Sequence, residues 1–293
     1  MDPHLLRTFL AVADTGSFSA AAQRLRYTQS AVSQHVAALE ADLGTPLFTR
    51  RPVALTPAGE RLRRHAALLL VRLEAARADV TRAVAPPGRL ILGLTPLAWA
   101  APIATALATI RAESARLRTR LRVADRDRIV EAVATGEIDL GLVDGFTAPS
   151  DPLRLPEPGA GGPRSLGVAE SPAMVAVPAT HPLARRRAVD LADLADAYWI
   201  DAPEVAPFGR LPVDGLRAGL RYDGADATVL AGLVAAGHGL AVLPQPLVEA
   251  HPGLAGVPVG APRLVHRVEL LRLPAAATDE PAERLAALLS AAS

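Results

Sequence analysis

Apolar positions in the first part of the chain recur at three- and four-residue spacings, the period of a helix with one buried face. The run 3–16, PHLLRTFLAVADTG, predicts a helix with Leu6, Phe9, Leu10 and Ala13 turned inward and Gly16 at its end. Ser19 is placed to cap a short second helix, SAAAQRLR, whose alanines let another helix approach closely. Tyr27 and Thr28 then make a tight connection, Thr28 being a good N-cap for the run Thr28 to Gly44, TQSAVSQHVAALEADLG. Val32, Val36, Leu39 and Leu43 share a narrow arc of this third helix, while Ser30, Ser33, Gln34 and Ala37 cluster opposite. Two helices joined by so few residues, the first of them short, have the shape of a helix-turn-helix.

Past Gly44 the pattern shortens to two extended runs, Leu47 to Thr49 and Val53 to Leu55, turning at Arg50, Arg51 and Pro52. Thr56 and Pro57 form an N-cap and first-turn pair that opens a long helix to about Val84. In it Leu62, Ala66, Leu69, Leu73, Ala76, Val80 and Ala83 alternate at spacings of four and three, a heptad seam. Packing against the chain's own body is one reading of that seam. Pairing with a second copy fits better, because Glu60, Arg64, Arg77 and Asp79 occupy the remaining surface.

Beyond the Pro86-Pro87-Gly88 break, strands alternate with helices: RLILGL, a helix from Pro96 to Glu113, RTRLRVAD, RDRIVEAVATG and IDLGLVD. Such alternation predicts a parallel sheet and α/β architecture. An irregular, proline-rich stretch from Pro149 to Pro163 leads to a second series through AMVAVP, LRAGLRY, DATVLAGLVAAGHG and LAVLP. HRVELLRLP and DEPAERLAALLSAA add a strand and a helix that return to the first lobe.

A chain of 293 residues, 50% hydrophobic, has room for two or three domains. It contains no cysteine, which removes disulfides, thiol catalysis and thiolate zinc sites and suits a cytosolic location. Its first residues lack a basic run before the apolar ones and break at Asp14 and Gly16, unlike a secretory signal; no apolar run is long enough for a membrane span. The net charge of +1 conceals a division at the proline break. Residues 1–87 hold 11 Arg against 7 Asp plus Glu, or +4, and residues 88–293 hold 20 against 23, or −3. A mildly basic head on a mildly acidic body fits a head that meets nucleic acid.

The run Phe9 to Glu60, FLAVADTGSFSAAAQRLRYTQSAVSQHVAALEADLGTPLFTRRPVALTPAGE, resembles the winged helix-turn-helix head of LysR-type transcriptional regulators. VATGEIDLGLV, VPATHPLARRRAVDLADLADAYWI and LVAAGHGLAVLP echo later segments of that family in its usual order. The resemblance implies an all-α winged helix-turn-helix domain (1–58), a long dimerising linker helix (59–87) and an α/β two-lobed regulatory domain (88–293) resembling periplasmic binding proteins. Lobe I would take about 88–160 and 266–293, and lobe II about 161–265. The implied partners are double-stranded DNA carrying an imperfect palindromic operator, a second copy forming a homodimer, a homotetramer built from two dimers, and RNA polymerase. A small-molecule effector would sit between the lobes, with no other cofactor and no metal.

Base edges in the major groove are told apart by their donor and acceptor patterns, which amides and hydroxyls on one helix face can match. Gln29, by the resemblance and by its place near the helix start, is expected to pair with adenine; Gln34, Ser30 and Ser33 are further base or phosphate contacts. Arg50 and Arg51 at the wing tip are expected on phosphates, with Arg26 and Arg64 as lesser candidates, and Thr28 as a cap whose hydroxyl also faces the duplex. In the body, Thr95 and Pro96 stand where the first strand is expected to become a helix, a place for an anionic group of the effector or for a plain cap. Trp99 is read as lining the cleft or filling the core, with the core favoured by its size. Ile200 and Asp201 follow the second-lobe pattern, Asp201 either meeting the effector or facing solvent, and His238 reads as a surface residue.

The α/β body alone would equally suit a solute-binding protein or an enzyme, with the N-terminal helices structural only. Against an enzyme, the seven histidines form no metal-ligand pair on a helix, no G-x-S-x-G elbow is present, and Gly159 to Gly162 neither follow a strand nor open a helix.

Overall fold

The computed structural model describes residues 1–83, 88–114, 116–155, 162–273 and 280–291, except for the side chains of Arg50, Arg82 and Ala83. Two units separate, Met1–Ala83 and Val84–Ser293. Pro86 and Pro87 of the proline break fall just inside the second unit and, like residues 159–161, lie outside the described residues, whereas Gly88 is described.

In the first unit α1 (Pro3–Thr15), α2 (Phe18–Leu25) and α3 (Gln29–Leu43) enclose a core of Leu6, Phe9, Val12, Ala21, Val32 and Leu39. Gly16 and Gly44 end α1 and α3 in the left-handed conformation that lacks a penalty only for glycine. The second helix is capped by Ser17, not Ser19: the Ser17 hydroxyl accepts from the Ala20 N–H at 3.3 Å. Ser19 lies inside the helix, two residues too late to serve. Leu43, expected inward, is 36% exposed because it is the last residue of α3, beyond the reach of the core.

The strands β1 (Phe48–Arg50) and β2 (Val53–Leu55) pair antiparallel to make the wing, and α4 (Pro57–Ala83) follows. A Cβ at Gly59 would stand 2.2 Å from the Leu47 carbonyl oxygen, so only glycine lets α4 pass this close to the wing's entry. The predicted seam on α4 divides. Ala66 is buried, and Leu62 and Leu70 pack against the core of the head, while Arg7 on α1 pairs with Glu74. Leu69, Ala76 and Val80 are exposed. The first turns of the helix therefore belong to its own head, and the later apolar face is left open.

The second unit carries β3 (Arg89–Leu94), α5 (Ala101–Glu113), β4 (Arg118–Val123), α6 (Arg126–Ala134), β5 (Leu140–Thr147), β6 (Arg164–Pro178), β7 (Tyr198–Asp201), β8 (Arg217–Arg221), α7 (Ala227–Ala235), β9 (Ala241–Pro244), α8 (Gln245–Glu249), β10 (Leu254–Pro258), β11 (Val265–Arg272) and α9 (Glu280–Ala291). The sheet is mixed rather than parallel throughout. Strands run in the order β10-β6-β11-β5-β3-β4; β3 is parallel to β4 and β5, whereas β11, β6, β9 and β10 pair antiparallel. Leu90, Leu92, Ile103, Leu142, Leu270 and Leu285 fill lobe I, with α9 returning to it as predicted. Trp199, Val175, Leu191 and Val257 fill one side of lobe II, and Leu230, Val234 and Leu243 the other.

One strand serves both lobes. From Arg164 to Pro172, β6 pairs with β11 in lobe I; from Ala173 to Pro178 it pairs with β9 and β10 in lobe II.

Candidate nucleic-acid interface and inter-lobe cleft

The recognition surface begins with a cap. The Thr28 hydroxyl accepts from the Ala31 N–H at 3.2 Å, so its own proton is left to donate outward. Arg26, in the left-handed region at φ 58°, ends α2 sharply enough for the turn to close. Val32, Val36 and Leu39 are buried, and Gln29, Ser30, Ser33, Gln34 and Ala37 are all exposed along one side of α3. Amide and hydroxyl groups thus face outward from a helix whose other side is locked by packing.

Two contacts that the residue pattern did not reveal hold this helix in place. The Glu40 carboxylate accepts from the Leu47 N–H at 2.7 Å and from the Phe48 N–H at 3.3 Å, tying α3 to the start of the wing. Buried Thr8 on α1 bonds His35 at 3.0 Å, and the Tyr27 ring stands edge-on to that imidazole. Between α3 and the wing lies a hollow of about 310 Å³ floored by Val36, Phe48 and Val53 and edged by Gln29 and Ser33. Arg51 is exposed at the wing tip. The Arg50 side chain lies outside the described residues, although its backbone ends β1. Arg26 and Arg64 are exposed, as expected of solvated or phosphate-facing cations.

In the second unit the predicted helix start at Thr95 and Pro96 is not there. Pro96 and Leu97 form a turn, the Ala98 N–H bonding the Thr95 carbonyl at 3.0 Å, and α5 begins only at Ala101. The N-terminus of α5 is therefore not at Thr95. Its hydroxyl is instead spent inside the protein: it donates to the Asp144 carboxylate and accepts from the Asp144 N–H at 3.0 Å. Asp144, buried in β5, also meets His266 Nε2 at 3.1 Å.

Thr95 and Asp144 nevertheless form the floor of a small cleft of about 30 Å³ between the lobes, with Arg126, Val205 and Arg210 on its walls. Ile200 is not among its walls; at 2% exposure it belongs to the core of lobe II. Asp201 pairs with Arg221 at 2.7 Å across the neighbouring strand and does not reach the cleft. His238 is exposed. Trp99 is not core: it is 50% exposed and, with Pro96, Pro102, Val168 and Leu247, lines a separate apolar hollow of about 820 Å³.

The Arg126 guanidinium is held below its ordinary value, first by burial and then by the nearby Arg210 cation, against the opposing charges of Asp144, Asp127 and Glu269. No sequence motif marks this group. The signals that could have found it are a charged residue closing an apolar strand, in LGLVDG, and an arginine directly after the preceding strand, in VADRDR. Among the described residues no cluster of His, Asp and Glu is arranged to hold a metal ion, and no helix is long and apolar enough to cross a membrane.

Residues 3–60 match the model of the bacterial regulatory helix-turn-helix protein, lysR family, and residues 84–293 match the LysR substrate binding domain. The HTH-type transcriptional regulator HdfR of Yersinia pestis (strain Pestoides F) is 38% identical over 142 residues, 48% of each chain, and so is that of Yersinia pseudotuberculosis serotype O:3 (strain YPIII). The match spans about half the length of these curated relatives. Among solved structures, full-length BenM overlays with a TM-score of 0.55 at 24% identity, covering 99% of this chain and 95% of that one. Full-length CbnR, complexed with its target DNA, overlays with a TM-score of 0.53 at 22% identity and covers 100% of both chains. These last two show the shared fold. With the two family models leaving unmatched only the first two residues and the stretch 61–83 within α4, the chain belongs to the LysR family.

Proposed function

We propose that the protein is a sequence-specific DNA-binding transcriptional regulator controlled by a small molecule bound between the lobes of its second unit. The observation that carries this reading is the division of α3 into a buried apolar side and an exposed side of Gln29, Ser30, Ser33 and Gln34, set beside an arginine-tipped wing. A helix fixed on one side and dressed with uncharged hydrogen-bonding groups on the other is what direct readout in the major groove needs. Gln29 and Gln34 read bases, Ser30 and Ser33 reach a base or the backbone, and Arg50, Arg51 and the Thr28 hydroxyl position the head on phosphates.

A lone head makes too few contacts for tight, selective binding. The open face of Leu69, Ala76 and Val80 supports pairing of α4 with a second copy, and a two-fold dimer reads an imperfect palindrome. Association of two dimers into a tetramer, contact with RNA polymerase and a cytoplasmic location complete the proposal. The Thr95–Asp144 floor of the cleft supports effector binding there, and the protein acts without catalysis, metal or other cofactor. Selection from random oligonucleotides tests the reading: a two-fold symmetric consensus is expected, and enrichment of no sequence overturns it.

A further inference from the structure

We infer that the inter-lobe cleft takes an anionic effector, a small carboxylate gripped between Arg126 of lobe I and Arg210 of lobe II; this rests on the reading of the cleft as the effector site. Arg126 is a part-buried guanidinium that the carboxylates of Asp144, Asp127 and Glu269 influence only at a distance, without a direct ion pair. Its Nη2 donates to the Asp144 backbone carbonyl, which carries no net charge, and its Nε is buried without a partner. Among the described residues it enters no ion pair. Arg210 faces the same cleft from the other lobe, so two like charges converge on one hollow.

None of the acids nearby forms an ion pair with Arg126 among the described residues. Asp144 receives the Thr95 hydroxyl and His266. Asp125 caps α6 by accepting from the Arg128 N–H at 2.9 Å. Glu269 accepts from the Leu153 N–H at 2.9 Å and from Arg267 at 3.1 Å through Oε1 alone; its buried Oε2 has no hydrogen-bond partner among the described residues, and its charge acts on Arg126 without forming an ion pair with it. Asp127, 68% exposed, stands 3.7 Å from Arg210, a loose and solvated pair, and Glu204 is exposed. A desolvated cation without a direct ion pair, facing a second cation across the cleft, favours a bound anion, and the guanidinium fork matches the two oxygens of a carboxylate. The cleft, about 30 Å³, holds roughly two water-sized groups, enough for the two carboxylate oxygens while the rest of the ligand extends toward its mouth. Phe146, Val205 and Pro207 offer apolar contact to a short hydrocarbon part.

Titration calorimetry and thermal melting of the full chain test this with sodium acetate, benzoate and succinate, set against acetamide, benzamide and propylamine hydrochloride at constant ionic strength. At least one carboxylate is expected to bind and raise the melting temperature, its neutral or cationic counterpart not. Arg210→Gln, at an accessible position, should weaken that carboxylate at least tenfold without lowering the melting temperature of the free protein. Arg126→Gln should do the same to binding, with Arg126→Lys retaining part of it. No response to any carboxylate, an equal response to amide or amine, or undiminished binding by Arg210→Gln overturns the inference. Ala206→Trp, which fills the cleft, separates the two readings. A neutral ligand that it abolishes overturns the charge class alone, and binding that survives it overturns the cleft as the site.

Discussion

Replacing Gln29 by alanine isolates base reading from everything else the head does. Gln29 is the first residue of α3, is exposed, and lies next to a cap that its loss leaves intact, since the Thr28 hydroxyl bonds the Ala31 N–H. Folding stability should therefore change by no more than about 0.5 kcal/mol. On DNA, removing a bidentate amide-to-adenine pair costs about 1–3 kcal/mol, or about 5- to 150-fold in affinity, per half-site. A dimer holding two half-sites loses about twice that free energy, because the two substitutions lie far apart and add. The slope of affinity against salt should not move, since an uncharged side chain releases no counter-ion. Fluorescence anisotropy on the selected operator and on a scrambled duplex of equal length, across a salt series, reads all three quantities. Equal weakening on both duplexes would refute the assignment of Gln29 to a base, and a changed slope would place it on the backbone.

Arg51→Ala should instead weaken operator and scrambled duplex alike and lower the salt slope by about one, an unchanged slope removing Arg51 from the phosphate contacts. Leu69→Asp places a charge on the open face of α4, at a position 47% exposed in the single chain, so the fold should survive while the oligomer dissociates; sedimentation showing an intact oligomer would disprove the seam. Glu113→Gln breaks the two-pronged contact with Arg284, at 2.9 and 2.6 Å, that joins α5 to α9. The Arg284 hydrogen bond and charge hold the Glu113 carboxyl below its ordinary 4.5, so the contact's contribution is present above that value and lost as pH falls through the lowered one. The difference in melting temperature between the two proteins should shrink accordingly in acid, and a pH-independent difference would contradict it.

The head was readable because its determinants are local. A 3.6-residue pattern, a threonine at one end of α3 and a glycine at the other fix which side faces out, and no distant residue reverses that choice. Thr56 and Pro57 likewise opened α4 where expected. Thr95 and Pro96 show where such reasoning fails. They mimic a cap and first-turn pair, yet Asp144, 49 residues away, captures the hydroxyl, and the chain turns before it coils. Asp201 was lost to Arg221, brought alongside by the pairing of β7 with β8. Arg126 and Arg210 converge only because two lobes close on each other, and Trp99 stays exposed because a hollow lies where its size argued for core. These misses in the second unit concern partners distant in sequence, which periodicity cannot report, whereas those in the head, Ser19 for Ser17 and Leu43 turned outward, are shifts at helix ends.

The double membership of β6 has a mechanical consequence. Its ladder changes hands at Pro172, the one residue type without an amide proton to give, so flexing there sacrifices no donor. The lobes are not beads on a string: β6 runs unbroken from one to the other and carries the outer strand β10 at its far end, and the chain returns between β10 and β11. A guest that drew the two walls inward would turn the strands and helices of lobe II that hang beyond that proline, and the strand would act as a torsion bar carrying a shift of a few ångströms into a turn of that lobe's surface.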